Sequence, residues 1–206
     1  SMNPDNLAAA TKVQNKVSEH AELWARCHRL GIAIHAAYIV GFPFDTPDSV
    51  QRDIETLMEH GADQASFYML TPIPGSEDHV RALARGIRMD SEFSRFDSFH
   101  AVIDQPLMTR EEWFTTYKAA WKQFYTVKNM VRALRRFPRR ELRLSLLRNY
   151  VWYRWASQTE KTHPMIAGFH RYRDWVDRRP DAPALSFPLH LLQQWGRRFR
   201  YAGCFV

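Results

Sequence analysis

The stretch Ala37-Tyr38-Ile39-Val40-Gly41-Phe42-Pro43-Phe44-Asp45-Thr46-Pro47-Asp48-Ser49-Val50 constrains the fold most, because an apolar run passes through a Gly-Pro turn straight into a helix start. Thr46 is a capping residue, Pro47 suits the first helical position, and Asp48 adds a negative charge near the helix N-terminus. Residues 32–40 read as a buried strand. Val50, Ile54, Leu57 and Met58 give the next helix an apolar face, and Gly61 ends it. A second strand is expected at 65–70, a short helix at 76–85 stopped by Gly86, and a third strand at 99–103. The alternation predicts an α/β fold: a partial (β/α) barrel fragment of about three parallel strands, followed by a basic, mainly helical C-terminal region. Ligands in such folds sit at the C-terminal ends of the strands.

With 206 residues, 45% of them hydrophobic, the chain can bury one sizeable core or two small ones. Its charges are divided unevenly. Residues 127–206 hold seventeen Lys/Arg against five Asp/Glu, and residues 1–126 hold twelve against seventeen. This places the boundary between the α/β part, 1–126, and a basic aromatic helical region, 127–206. Ala21, Trp24, Cys27 and Leu30 stand at helical spacing before Gly31, which puts the Cys27 thiol on a buried face. Further on, Thr109 and Glu112 form a capping box, and Trp113, Tyr117, Ala120, Trp121 and Phe124 form a core-facing stripe.

Pro138 interrupts the arginines at 132, 135, 136, 139, 140 and 143 and should break the helix there. Those arginines have three readings: phosphates of a nucleic acid, an anionic membrane surface, or the acidic face of the chain's own first part. Leu144, Leu147, Tyr150, Val151, Trp152 and Trp155 beside them suit an interfacial helix better than a groove-reading one. Pro164, Pro180, Pro183 and Pro188 divide the C-terminal stretch after Tyr153 into short pieces expected to wrap over the barrel or a partner. No run of about eighteen apolar residues is present, so no transmembrane helix is expected. There is no signal-peptide pattern, and two unpaired cysteines fit a cytoplasmic protein, with the periphery of a membrane open to it through the arginines.

The first strand and turn, taken with Leu70-Thr71-Pro72-Ile73-Pro74-Gly75-Ser76 about thirty residues later, resemble the later strands of the radical S-adenosylmethionine (SAM) enzymes. Phe44 stands where that family usually has glycine, and Ser76 where it has threonine. Lys12-Val13-Gln14-Asn15, Phe96-Asp97-Ser98-Phe99-His100 and Met108-Thr109-Arg110-Glu111-Glu112-Trp113 are similar to segments of its cobalamin-binding branch, the anaerobic cyclases and hopanoid methylases. His163-Pro164-Met165 and residues 171–180 are similar to that branch's tail.

The resemblance implies the C-terminal, substrate-side part of such an enzyme, of the methyl-transfer or oxidative-cyclisation class, starting after the cobalamin domain and first barrel strands. By resemblance, Ile39, Val40, Gly41, Leu70, Thr71 and Pro72 would meet the SAM nucleoside. His35, Tyr38, Tyr68 and His100 are candidate substrate-facing groups, and Asp97 with His100 a candidate acid/base or loop-holding pair. The three cysteines of the family's [4Fe-4S] motif are absent, since the chain has only Cys27 and Cys204. Cluster and cobalamin would therefore come with a missing N-terminal half, without which this part would be inactive.

Three strands cannot close a barrel, which needs about eight in the full form of these enzymes or about six in their partial form. The exposed edge predicts pairing with that half or self-association. The reading from a different class is a binding or scaffold protein that uses its basic helices at a membrane surface or a protein partner.

Overall fold

The computed structural model describes residues 2–9, 17–167 and 185–202. Among these the chain forms eight α-helices and one two-stranded parallel sheet. In order they are α1 (Pro4–Ala9), α2 (Val17–Arg29), β1 (His35–Val40), α3 (Pro47–His60), β2 (Gln64–Met69), α4 (Glu77–Ala84), α5 (Arg110–Phe124), α6 (Val127–Arg135), α7 (Arg140–Gln158) and α8 (Phe187–Ala202). The parallel β1–α3–β2 unit is the α/β architecture expected from the alternation of strand and helix signals.

Local chemistry fixes the ends of α3. Thr46 accepts from the Ser49 N–H while the Ser49 hydroxyl accepts from the Thr46 N–H, and Gly61 closes the helix in the left-handed region at φ +105°. Thr109 and Glu112 make the reciprocal box at the start of α5. Pro138 falls between α6 and α7, where the helix was expected to break.

Strand register places Ala36, Tyr38 and Val40 beside Ala65, Phe67 and Met69 on one face of the sheet. All six are buried, with Val50, Ile54 and Leu57 of α3 and Trp113, Trp121 and Phe124 of α5. The core is strongly aromatic: Phe67 meets Trp121 edge-on at 5.1 Å, and Tyr125 meets Tyr150 of α7 at 4.7 Å. Tyr150 donates to the Phe124 carbonyl and accepts from Asn129, so α7 turns this side inward. On the opposite flank α2 is looser than its spacing implies: none of its residues is buried, Cys27 is a half-buried free thiol, and Leu30 just beyond it is 78% exposed.

The third strand expected at 99–103 does not form, so a three-stranded partial barrel is not found among the described residues. Met69 donates to the Ser98 carbonyl at 2.7 Å, and Ser98 then takes a left-handed turn at φ +66° that carries the chain away from β2. Ile103 makes an isolated antiparallel bridge with Met89 instead. The outer edge of β2 is further occupied by Tyr125, whose hydroxyl accepts from the Ala65 N–H and donates to its carbonyl. β1 lacks such a cover. Its alternation aims the backbone groups of His35, Ala37 and Ile39 away from β2, and they find no hydrogen bond among the described residues.

Candidate functional site

The strands end at two turns, and the first is folded in on itself. Gly41 and Phe42 both donate their N–H groups to Asp45 Oδ2, at 2.8 and 3.0 Å, while Asn6 donates to Oδ1 at 2.6 Å. Gln105 reaches in to donate to the carbonyls of Phe42 and Asp45. Asp45 is 1% exposed, and its burial raises the carboxyl pKa against the opposing pull of the two backbone N–H bonds. Over this turn lies the fully buried Trp113 indole, whose Nε1–H donates to the Val40 carbonyl at 3.0 Å. A Cβ on Gly41 would stand 2.1 Å from that ring, and Gly41 itself is at φ +108°. Glycine is therefore required there by the protein's own tryptophan, and a ligand approaching Val40 and Gly41 would meet occupied groups.

The second turn is open. Leu70 donates to the Val40 carbonyl, which thus accepts twice, and Thr71 donates to the Met69 carbonyl at 3.1 Å. Leu70 and Thr71 are half-buried and Pro72 is buried, whereas Ile73, Pro74 and Gly75 are exposed.

Between the turns, the second face of the sheet carries His35, Ala37 and Ile39 opposite Gln64, Ser66 and Tyr68. It is the accessible side of the strand ends. His35 Nε2 pairs with Ser66 Oγ at 2.8 Å and stands edge-on to Tyr153; although the residue is exposed overall, these contacts desolvate its ring and lower its pKa. Tyr68 is half-buried and leans on Phe99 and His163, with its hydroxyl at Met165 Sδ. Phe99 and His163 stack with centroids 4.3 Å apart, and Trp121 meets His163 edge-on.

His163 is 3% exposed. Its Nδ1 accepts from the Met165 N–H, its Nε2 is buried without a hydrogen bond, and burial lowers its pKa to about 4. It is thus a neutral aromatic plate, and its carbonyl closes a turn by accepting from Ile166 and Ala167.

Of the sequence-predicted residues, Ile39, Leu70, Thr71 and Tyr68 gather at the accessible strand ends, while Val40, Gly41 and Pro72 lie inside. Tyr38 points to the other face and donates to Asp53 at 2.7 Å. His100 pairs with Asp97, which also accepts from the Phe99 N–H, so the pair braces the loop beneath Phe99. Lys12 to Asn15, residues 171–180 and Cys204 lie outside the described residues.

Sequence reading missed Asp45, Gln105, Trp113 and His163 as organisers of these ends. Only Asp45 carries a local signal, a turn-forming carboxylate four residues after a glycine.

Compared with known proteins, the chain resembles two methyltransferases. It is 22% identical over 153 residues to bacteriochlorophyllide d C-12(1)-methyltransferase of Chlorobaculum tepidum, a match covering 74% of this chain and 31% of that protein. It is 24% identical over 97 residues to an uncharacterised methyltransferase of Pyrococcus horikoshii, covering 47% of this chain and 21% of the relative. The chain thus spans under a third of the length of either. No protein-family description matches it.

These relatives correct the reading as the C-terminal part of a radical SAM enzyme. Both are methyltransferases by name, and neither indicates a radical SAM or cobalamin-binding family. The expected [4Fe-4S] cluster and cobalamin lose their support with it, and among the described residues no group of three or more His, Cys, Asp or Glu could hold a metal ion. The scaffold reading likewise finds no support in them. Among the described residues no helix is long and apolar enough to cross a membrane.

Proposed function

We propose that this chain belongs to a SAM-dependent methyltransferase in its own right, with the accessible strand ends as the place where donor and acceptor meet. The similarity over 153 residues to a named methyltransferase carries the reading. In a methyl transfer the sulfonium of SAM gives up its methyl group and leaves as S-adenosylhomocysteine, so the protein's task is to hold donor and acceptor in line.

Ile39 and Leu70 offer apolar contact for the nucleoside at the ends of adjacent parallel strands, where α/β folds take such ligands. The Val40 carbonyl and the Gly41 N–H already bond Trp113 and Asp45, which favours Ile39 and Leu70 over them for the nucleoside contact. The Tyr68, Phe99 and His163 rings beside them suit a flat, largely apolar acceptor. The Chlorobaculum relative, named for a bacteriochlorophyllide, is consistent with an acceptor of that class.

Isothermal titration of SAM into the protein tests this. The expected result is saturable binding that Ile39→Arg weakens by at least roughly tenfold, as one buried charge in an apolar contact would. Circular dichroism should show the variant folded. Wild-type protein that takes up no SAM, or an Ile39→Arg variant that binds as well, overturns the assignment.

A further inference from the structure

The arginine-rich region does not behave as one surface. Arg136 donates to the Gly61 carbonyl and pairs with the fully buried Asp63 at 2.8 Å, and Arg132 donates to the Met58 carbonyl. These two guanidinium groups close the C-terminal end of α3, where a positive charge is favoured. Arg154 donates to the Tyr125 carbonyl and Arg143 to that of Pro138. On α7, Leu146, Tyr150 and Ala156 are buried against the core. Of the six apolar residues that suggested an interfacial face, Tyr150 is core, Leu147, Val151 and Trp155 are half-buried, and Leu144 and Trp152 are exposed, while several neighbouring arginines bind the chain's own backbone.

Helix α8 is different. It runs sixteen residues, Phe187–Ala202, unbroken within a stretch whose prolines suggest only short pieces. Leu192 is 68% exposed, Trp195 53% and Phe199 70%. They recur at intervals of three and four, which aligns them as one stripe, and the rings of Trp195 and Phe199 lie 6.2 Å apart. The helix contains no Asp or Glu, and its second half carries Arg197, Arg198 and Arg200.

We propose that α8 is a membrane-surface anchor that lies in the interface of an anionic bilayer. Leu, Trp and Phe on one stripe with only basic charges in the helix is the composition that such a surface selects: the apolar stripe enters the acyl boundary, and the helix's net positive charge favours anionic lipid. A nucleic acid would use the charges and leave the stripe in water. An ordinary solvated helix would carry charges of both signs and no exposed Leu-Trp-Phe row. The anchor stands independently of the methyltransferase assignment.

Vesicle flotation of the whole protein tests it, with vesicles of equal phosphatidylglycerol and phosphatidylcholine compared with phosphatidylcholine alone. The protein is expected to float with the anionic vesicles. Leu192→Asp/Phe199→Asp should reduce the bound fraction at least roughly tenfold, and so should salt at about 0.5 M. Both positions are exposed, so an unchanged thermal melt shows that the body remains folded. Failure of the wild type to float with anionic vesicles, or equal flotation of the double variant, overturns the anchor. Light scattering that finds wild-type oligomers dispersed by the double variant, with no flotation, assigns the stripe to a protein contact and overturns it equally.

Discussion

The two turns that come after β1 and β2 both combine glycine and proline, yet one is an interior structure and the other a surface. The first keeps Gly41 and Asp45 buried beneath Trp113, with its N–H groups spent on its own carboxylate. The second leaves Ile73, Pro74 and Gly75 in solvent, and a Cβ on Gly75 would meet nothing within 4 Å. Both glycines have positive φ, so conformation does not separate them. A glycine after a strand signals close approach of something, and here that something is an indole of the same chain.

The sharpest way to break this contrast is to add one methyl group to each turn. Gly41→Ala sets a Cβ 2.1 Å from the Trp113 ring at φ +108°, and neither the buried ring nor the backbone has room to yield. Overpacking plus a left-handed alanine is expected to cost more than about 4 kcal/mol, enough to leave a marginally stable domain largely unfolded. Gly75→Ala adds only backbone strain at φ +85°, about 1 kcal/mol. Thermal melts of the two variants should therefore differ by far more than either differs in composition. A Gly41→Ala protein that melts within a few degrees of wild type would abolish the distinction.

Next in size is Asp45→Ala. Removing this carboxylate leaves the N–H groups of Gly41 and Phe42, and the amide of Asn6, without their acceptor in a buried turn. The expected loss is about 3 kcal/mol, read as a lower urea midpoint with an unchanged slope. A shift below about 0.5 kcal/mol would mean that water satisfies those groups and that the turn is not closed.

Legibility in the sequence divides along physical lines. Thr46, Pro47, Gly61, Thr109 with Glu112, and Pro138 announce element ends because capping and helix breaking act within a few residues. Both strands were found to within three residues at their starts and one at their ends. Not legible were the contacts that decide the site: Trp113 to Val40 spans 73 positions, Gln105 to Phe42 63, and Asn6 to Asp45 39. The third strand failed because Ser98 adopts a left-handed turn that its residue type does not advertise. The same blindness to long-range contact hid the Trp113 ring packed against Gly41. It also left α8, within a stretch read as proline-divided pieces, unseen as one helix.

The smallest effect refines the contrast to the helices that leave the two turns. Thr46 and Ser49 bond reciprocally at the start of α3, whereas Ser76 makes a single cap bond, accepting from the His79 N–H at 3.3 Å. Helix α3 buries Val50, Ile54 and Leu57, while α4 buries only Ala82. Thr46→Ala should thus cost about 1 kcal/mol in global stability, because α3 cannot unravel without opening the core. Ser76→Ala should remove a similar or smaller local term, and α4 can fray alone. Hydrogen exchange distinguishes them: Thr46→Ala is expected to lower protection throughout the core, and Ser76→Ala only over 77–84. Faster exchange in β2 after Ser76→Ala would show that the second turn, open as it is, couples to the core as firmly as the first.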